Sequence, residues 1–226
     1  FLHQQSEHPN DDKMKLTLQQ HQLRSEKAHE LDQKTIPPIQ HQVQKLLNDQ
    51  LEKLSIPAVK YEINPDRKLI ELSDLFKNVT SFSLEIGFGG GEHLVYQAER
   101  NPNIGFIGCE PYINGVAMLA GKLSKTELTN VRIHPGDVRD LFDVLPDDSI
   151  DSVYLLYPDP WPKKRHHRRR FVTSEYLIDL QRVMKTGALL KLATDIPDYV
   201  RQSLQEVCKH HFSWTATDAQ DWRECW

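Results

Sequence analysis

The chain has 226 residues and a formal net charge of −4, from 28 Lys and Arg against 32 Asp and Glu. This length suits one α/β domain with an extension and can bury a sizeable core. The near balance of charge excludes a globally cationic, histone-like binder of nucleic acid. No apolar run approaches the roughly 20 residues that span a bilayer, and no secretory signal pattern occurs. We therefore expect a cytoplasmic protein with no membrane partner.

Cysteine and histidine usage predicts no metal site. Cys109, Cys208 and Cys225 lack metal-ligand spacing and leave an odd thiol, which fits a reducing compartment. Several histidines are scattered through the first sixty residues, but without the convergent spacing that a metal needs.

The first sixty residues differ in composition from the rest, being rich in Gln and His and free of glycine. Up to about Ile36 they predict a disordered or loosely helical arm. After Pro37 and Pro38, apolar residues at helical spacing predict one amphipathic helix. The expected organisation is therefore an arm plus helix over residues 1–60 and a folded domain over residues 61–226.

From Ser81 the pattern alternates between strand and helix. Strands are predicted at 83–86, 104–109, 131–134, 150–156 and 188–193, and helices at 92–100, 113–124, 174–184 and 197–210. This alternation predicts an α/β fold with a doubly wound, mostly parallel sheet of the Rossmann-like type. Ligands of such sheets bind beyond the carboxyl ends of the strands.

A glycine-rich turn joins the first predicted strand to the first helix. Residues 85–92 are Glu-Ile-Gly-Phe-Gly-Gly-Gly-Glu, in which Gly87 and Gly89 permit a tight turn and close approach of a ligand to the backbone. Turns of this kind serve NAD, FAD and S-adenosyl-L-methionine alike, so the glycines alone do not choose the cofactor.

Acidic residues at three successive strand ends favour S-adenosylmethionine. Glu85 could meet the cationic end of its methionine moiety, and Glu110 has the spacing of a ribose-binding acid. Asp137, after the third strand, could accept a hydrogen bond from the adenine amino group. Taken singly, Glu110 or Asp137 could equally be a helix cap or turn acid.

The segment after the fourth strand predicts chemistry on a nucleic acid. Residues 157–170 are Tyr-Pro-Asp-Pro-Trp-Pro-Lys-Lys-Arg-His-His-Arg-Arg-Arg, so prolines stiffen the turn around Asp159. Six of the last eight residues are Lys or Arg, which suits a phosphate backbone. A solvated face or a localisation signal is the alternative. Trp161 could stack on a base or brace the turn from the core.

With these features together, residues 81–226 resemble the bacterial tRNA (guanine-N7-)-methyltransferases. The segment from Pro158 to His166 is highly specific to that family, and Ala193-Thr194-Asp195 after a late strand agrees with it. The resemblance implies a cytoplasmic enzyme that methylates N7 of a guanosine in the tRNA variable loop, position 46 in standard tRNA numbering, with S-adenosylmethionine as donor.

The resemblance also implies the roles of individual residues. The cofactor would contact Glu85, Gly87, Gly89, Glu110, Asp137 and Asp159. Asp159 would be catalytic, while Lys163 and Asp195 would contact the substrate. The tRNA would contact Arg165, His166, His167, Arg168, Arg169 and Arg170.

Two family features are not found in this sequence. Residues 1–76 lack the basic Gly-Arg-Arg-like segment, and no Thr-Arg/Lys-Tyr/Phe-Glu motif occurs before Trp226. We therefore expect either that the sequence is truncated at its C-terminal end or that this part of the guanine pocket is missing. A methyltransferase of small molecules or proteins, and a non-catalytic RNA-binding subunit, are the alternative functions. A dehydrogenase lacks a supporting His or Lys constellation. Monomer and homodimer remain open.

Overall fold

A computed structural model of the chain describes residues 2–4, 63 and 69–214. The chain divides into two compact units, and these residues all belong to the unit formed by Phe1–Gln5 and Ala58–Trp226. The amphipathic helix and most of the arm predicted for residues 1–60 lie outside the described residues. Within the unit that is described, the predicted alternation of strand and helix is confirmed.

Seven strands form one sheet in the described part of the chain. They are β1 (Leu2–Gln4), β2 (Ser81–Ile86), β3 (Ile104–Cys109), β4 (Val131–His134), β5 (Ile150–Leu156), β6 (Met184–Ala193) and β7 (Phe212–Trp214). Their order is β4-β3-β2-β5-β6-β1-β7. Strands β2 to β6 pair in parallel, whereas β1 runs antiparallel to both β6 and β7. The order reverses between β2 and β5, as in doubly wound sheets.

Helices follow most of the parallel strands. They are α1 (Leu72–Leu75), α2 (Glu92–Arg100), α3 (Ile113–Leu123), α4 (Val138–Phe142), α5 (Ser174–Val183) and α6 (Pro197–Val207), with a 3₁₀ helix at Lys164–Arg169. In the longer helices α2, α3, α5 and α6, the buried residues recur at helical spacing, so each of these helices buries one face. In α5, for example, Leu177, Leu180 and Val183 are buried.

The core lies on both faces of the central strands. Every residue of β3 after Ile104 is buried, as expected for a parallel strand covered on both sides. Burial raises the pKa of the Cys109 thiol well above its usual range because the thiolate would lose its hydration.

Short or irregular elements differ from the sequence prediction. Strand β6 begins at Met184, four residues before the predicted start, and its register with β5 shifts between Ile150 and Ser152. Gly187 has a positive φ of 83° near this irregularity. Because a glycine interrupts the apolar pattern there, the sequence did not indicate that the strand continues through it. Leu2–Gln4, which the sequence assigned to the arm, forms a strand instead because β6 and β7 supply its backbone partners.

The parallel strands bring the segments that follow them to one edge of the sheet. These segments begin after Ile86, Cys109, His134, Leu156 and Ala193. They contain every residue that the sequence predicts for the site except Glu85, which lies within β2 one residue before its end. Within the part of the chain that the structure describes, no helix has the length and apolar character needed to cross a membrane.

Candidate active site

The turn after β2 has the backbone of a ligand cradle. Gly87 and Gly89 adopt φ values of 73° and 54°, a region that residues with a Cβ rarely enter. A Cβ built on either glycine would meet no atom within 4 Å, so both face open space. The turn can therefore receive a ligand close to its backbone.

Glu110 fixes this glycine turn from the end of β3. Its carboxylate is buried, with one oxygen accepting from the Gly89 backbone N–H at 2.9 Å and the other from the Tyr112 N–H at 2.7 Å. Each carboxylate oxygen can accept a further hydrogen bond. Glu110 thus acts as the turn acid that the sequence allowed. Its carboxylate oxygens can still accept hydrogen bonds from ribose hydroxyls.

Gly115 is a supporting residue that the sequence analysis missed. A Cβ at this position of α3 would lie 2.3 Å from the Gly89 carbonyl oxygen and 3.1 Å from Glu110 Cγ. The first turn of α3 therefore packs directly on the glycine turn. Nothing local in the sequence distinguishes Gly115 from an ordinary helical glycine, because its constraint is a tertiary contact.

Lys122 holds the other end of the glycine turn. Its Nζ donates to the Gly90 carbonyl oxygen at 2.5 Å and to Glu92 Oε1 at 2.8 Å. The hydrogen bond from Lys122 lowers the pKa of Glu92. Helix α3 thus contacts the turn at two places, through Gly115 and through Lys122.

Glu85 is oriented by helix α2. This buried carboxylate lies 2.7 Å from His93 Nδ1, and His93 Nε2 lies 3.2 Å from Gln97 Nε2. With the proton on Nδ1, the His93 ring donates to Glu85 and accepts from Gln97, so each ring nitrogen has a partner. The sequence analysis did not identify His93, since a helical histidine carries no signal of its partner.

Asp137 caps helix α4. Its Oδ1 accepts from the Arg139 backbone N–H at 2.9 Å, and the Arg139 guanidinium contacts both carboxylate oxygens at 3.0 Å. This bidentate contact raises the pKa of Arg139. The structure therefore shows Asp137 as a helix cap, which was one of the two roles that the sequence allowed. Recognition of adenine by Asp137 stays a prediction.

Asp159 is exposed in a strained turn after β5. Tyr157 and Trp161, on either side of it, have φ values of 51° and 40°. Such backbone costs about 1–3 kcal/mol for each non-glycine residue and persists only where the surroundings fix it. One support is the Tyr157 backbone N–H, which donates to the Ala193 carbonyl oxygen at 2.8 Å and ties the turn to the end of β6.

Arg170 corrects the prediction that the whole basic run contacts tRNA. Its side chain is only 1% exposed and makes hydrogen bonds to the Pro160 carbonyl oxygen, Asp198 and Gln202. A guanidinium enclosed by these acceptors cannot reach an external phosphate. The Arg170 hydrogen bond lowers the pKa of Asp198, and His167 Nε2 also lies 3.6 Å from that carboxylate.

The remaining basic residues stay at the surface. Arg165, Arg168 and Arg169 are exposed on the 3₁₀ helix. Trp161 is half-buried, with its ring 5.9 Å from the His166 ring and 5.0 Å from the Arg169 guanidinium carbon. These contacts favour a bracing role for Trp161 in this conformation.

Lys163 and Asp195, the predicted substrate contacts, are both exposed. Asp195 follows β6 and Asp159 follows β5, and these neighbouring parallel strands place the two carboxylates at the same sheet edge. In the described part of the chain, no group of three or more His, Cys, Asp or Glu side chains could hold a metal ion.

A glycine cradle and strand-end acids on a doubly wound sheet define a Rossmann-like protein that binds a nucleotide-type cofactor. Residues 80–224 match the family described as "Putative methyltransferase". Among solved structures, an antibiotic-related methyltransferase aligns with a TM-score of 0.45 and 16% identity, over 64% of this chain and 75% of that one.

Relatives with similar sequences identify the methyltransferase family more specifically. The tRNA (guanine-N(7)-)-methyltransferase of Roseobacter denitrificans is 59% identical over 182 residues, which cover 80% of this chain and 78% of that protein. The enzymes of the same name from Ruegeria pomeroyi and Agrobacterium fabrum are 58% and 46% identical. They cover 85% and 79% of this chain, and 80% and 78% of their own lengths. The chain belongs to the tRNA (guanine-N(7)-)-methyltransferase family.

The contact between α3 and the glycine turn generates a test of the cofactor site. Gly115→Ala should weaken S-adenosylmethionine binding by about tenfold or more, roughly 1.4 kcal/mol, because the new methyl group displaces the Gly89 carbonyl. Calorimetric titration measures the affinity directly.

Gly121→Ala is the matched control, since it makes the same substitution in α3 where a Cβ meets nothing within 4 Å. It should keep the wild-type affinity and stabilise the helix by about 0.5–1 kcal/mol. Equal affinities for Gly115→Ala and Gly121→Ala would show that α3 does not shape the cofactor site.

Proposed function

We propose that this protein transfers a methyl group from S-adenosylmethionine to N7 of a guanosine in tRNA, at position 46 of the variable loop. The observation that carries the proposal is the placement of the Asp159 turn. It shares a sheet edge with the glycine cradle and runs directly into an exposed basic helix. S-adenosylmethionine would supply a methyl group already activated on a sulfonium centre.

The residues around the glycine turn fit this cofactor. Gly87 and Gly89 leave open space beside their backbone, where a side chain would otherwise stand. Glu110 keeps acceptor capacity for ribose hydroxyls, while buried Glu85 offers negative charge to an ammonium group. Asp137 could accept from the adenine amino group through lone pairs that its capping role leaves available.

Asp159 would stabilise developing positive charge rather than accept a proton. Guanine N7 has a lone pair and no hydrogen, so the nucleophile needs no strong base. Methylation makes the base cationic, and a fixed carboxylate beside it stabilises the charge that develops in the transition state. Because Asp159 is exposed at the sheet edge, a base can reach it. Alignment of the reacting groups could supply several kcal/mol more.

The neighbouring side chains would hold the RNA and the extruded base. A variable-loop guanosine must leave its stacked and paired position, which costs a few kcal/mol. Exposed Arg165 and Arg168 could offset that cost through phosphate contacts elsewhere on the tRNA. Lys163 and Asp195 would contact the substrate near the catalytic turn. We expect the reaction to occur in the cytoplasm, where folded tRNA is available and free cysteines such as Cys109 and Cys208 stay reduced.

A transfer assay with labelled methyl donor tests both the reaction and the role of Asp159. With bulk tRNA, the label should appear in 7-methylguanosine after digestion to nucleosides, and free guanosine should accept none. Asp159→Asn should slow single-turnover transfer by about tenfold or more, roughly 1.4 kcal/mol, because the amide cannot stabilise the cationic base. Binding of the donor should change little.

Asp148→Asn provides the control because Asp148 is also an exposed aspartate, placed before the start of the same strand β5. It should transfer at the wild-type rate. Label in a different nucleoside would refute the proposed function, and equal rates for Asp159→Asn and wild type would remove Asp159 from the chemistry.

The exposed basic helix generates a second test. Replacing Arg165 and Arg168 together with Ala should weaken tRNA binding and flatten its salt dependence. Each lost phosphate contact should reduce the slope of log K against log salt by about 0.7–0.9. Filter binding across a salt series measures the slope.

Lys77→Ala with Lys125→Ala removes the same charge from exposed residues that precede β2 and β4, away from the carboxyl edge. This control should keep the wild-type slope. If both double variants behave alike, the effect is one of net charge and the 3₁₀ helix does not contact tRNA.

A further inference from the structure

Arg170 is a buried cation placed directly beside the catalytic turn. Its guanidinium donates from Nε to the Pro160 carbonyl oxygen at 2.7 Å, from one terminal nitrogen to Gln202 Oε1 at 2.8 Å and from the other to Asp198 Oδ2 at 2.9 Å. The guanidinium carbon also lies 5.0 Å from the centre of the Tyr199 ring. All three guanidinium nitrogens therefore have a hydrogen-bond partner. Of the four contacting residues, Asp198, Tyr199 and Gln202 lie on α6.

The Pro160 contact acts on the strained part of the turn. The Pro160 carbonyl belongs to the peptide unit whose nitrogen is that of Trp161, the residue with a φ of 40°. Fixing this peptide plane fixes the backbone immediately after Asp159. At the other end, the Tyr157 N–H is held by the Ala193 carbonyl. Arg170 thus supplies the second support that a strained turn needs.

The pKa of Tyr199 reflects, besides burial, the charges of both Arg170 and Asp159, which agrees with their proximity. Burial raises the pKa of the Tyr199 hydroxyl, and the negative charge of Asp159 adds to that rise while Arg170 opposes it. The Tyr199 hydroxyl also accepts from the Val172 backbone N–H at 3.3 Å. Tyr199, Arg170 and the Asp159 turn therefore form one packed group over the start of α6.

Arg170 also ends the basic segment. Its backbone N–H donates to the His167 carbonyl oxygen at 3.0 Å, and its side chain returns to Pro160, so residues 160–170 form a closed loop. The link to the 3₁₀ helix is made by the backbone of Arg170, whereas the link to the turn after Asp159 is made by its guanidinium.

We propose that Arg170 is a positioning residue that sets the catalytic geometry of Asp159 through the Pro160 carbonyl, with Asp198 and Gln202 holding its guanidinium. The inference rests on the proposed methyl transfer. A lysine could not replace Arg170, because an ammonium is a point charge and cannot serve three acceptors in the plane of a guanidinium. Arg170 touches neither the base nor the donor in this assignment, so its loss should affect the transfer step rather than binding.

Arg170→Lys tests the proposal, with Arg182→Lys as its matched control. Arg182 is another largely buried arginine, whose guanidinium contacts the Leu145 and Phe142 carbonyls and Asp147. It lies at the end of α5, next to the segment that precedes β5, away from the carboxyl edge. Both substitutions should lower the melting temperature, since each breaks a network of buried hydrogen bonds.

Only Arg170→Lys should slow the chemistry. Single-turnover transfer at saturating tRNA and donor should fall by about tenfold or more in the folded variant, while both dissociation constants stay within about twofold of wild type. A merely structural arginine would change stability and leave this saturated rate unchanged, as expected for Arg182→Lys.

Asp198→Asn extends the test if Arg170→Lys does not fold. Asp198 is exposed, so this variant should fold, yet it weakens the charge-assisted bond that holds Arg170. Its saturated rate should fall by about threefold or more. A wild-type rate in a folded Arg170→Lys, or in Asp198→Asn where the former does not fold, would overturn the inference. If wild-type protein forms no 7-methylguanosine, the proposed function fails and the inference falls with it.

Discussion

Five parallel strands end at one edge of the sheet, and every group in the candidate site depends on that alignment. A parallel strand must be followed by a crossover, so each carboxyl end begins a segment that is free to vary while the sheet stays fixed. The glycine turn, Glu110, Asp137, Asp159 and Asp195 lie on five such segments. The sheet therefore brings together residues from positions 87 to 195, none of which lies within a strand.

Two of these segments are shaped by buried charged side chains that bond to backbone groups. Glu110 accepts from the Gly89 and Tyr112 N–H groups, and Arg170 donates to the Pro160 carbonyl. Burying such a side chain costs free energy unless hydrogen bonds compensate, so each of these side chains favours the loop conformation that supplies its partners. Such prior positioning suits methyl transfer to N7, because that reaction needs alignment and charge stabilisation more than proton transfer.

The sequence predicted the features whose signals are local. Buried apolar runs identified β3, β4 and β5 with their observed ends, and the glycine cluster after β2 identified the cradle. Features that depend on tertiary partners were not predicted. A row of basic residues does not reveal that Arg170 faces inward, and neither Gly115 nor His93 carries a sign of its contact with Gly89 or Glu85. Short elements such as β1 and α4 also lack a pattern long enough to detect.

Attack by guanine N7 is the step on which the proposed function depends, and one atomic substitution in the RNA tests it. A tRNA transcript with 7-deazaguanosine at the methylated position has a carbon in place of N7 and keeps the same Watson–Crick edge. We expect this transcript to bind within about twofold of the unmodified one, because phosphate contacts dominate affinity, and to accept no labelled methyl group. Methyl transfer to the substituted nucleoside at the rate seen with guanosine would contradict N7 as the acceptor.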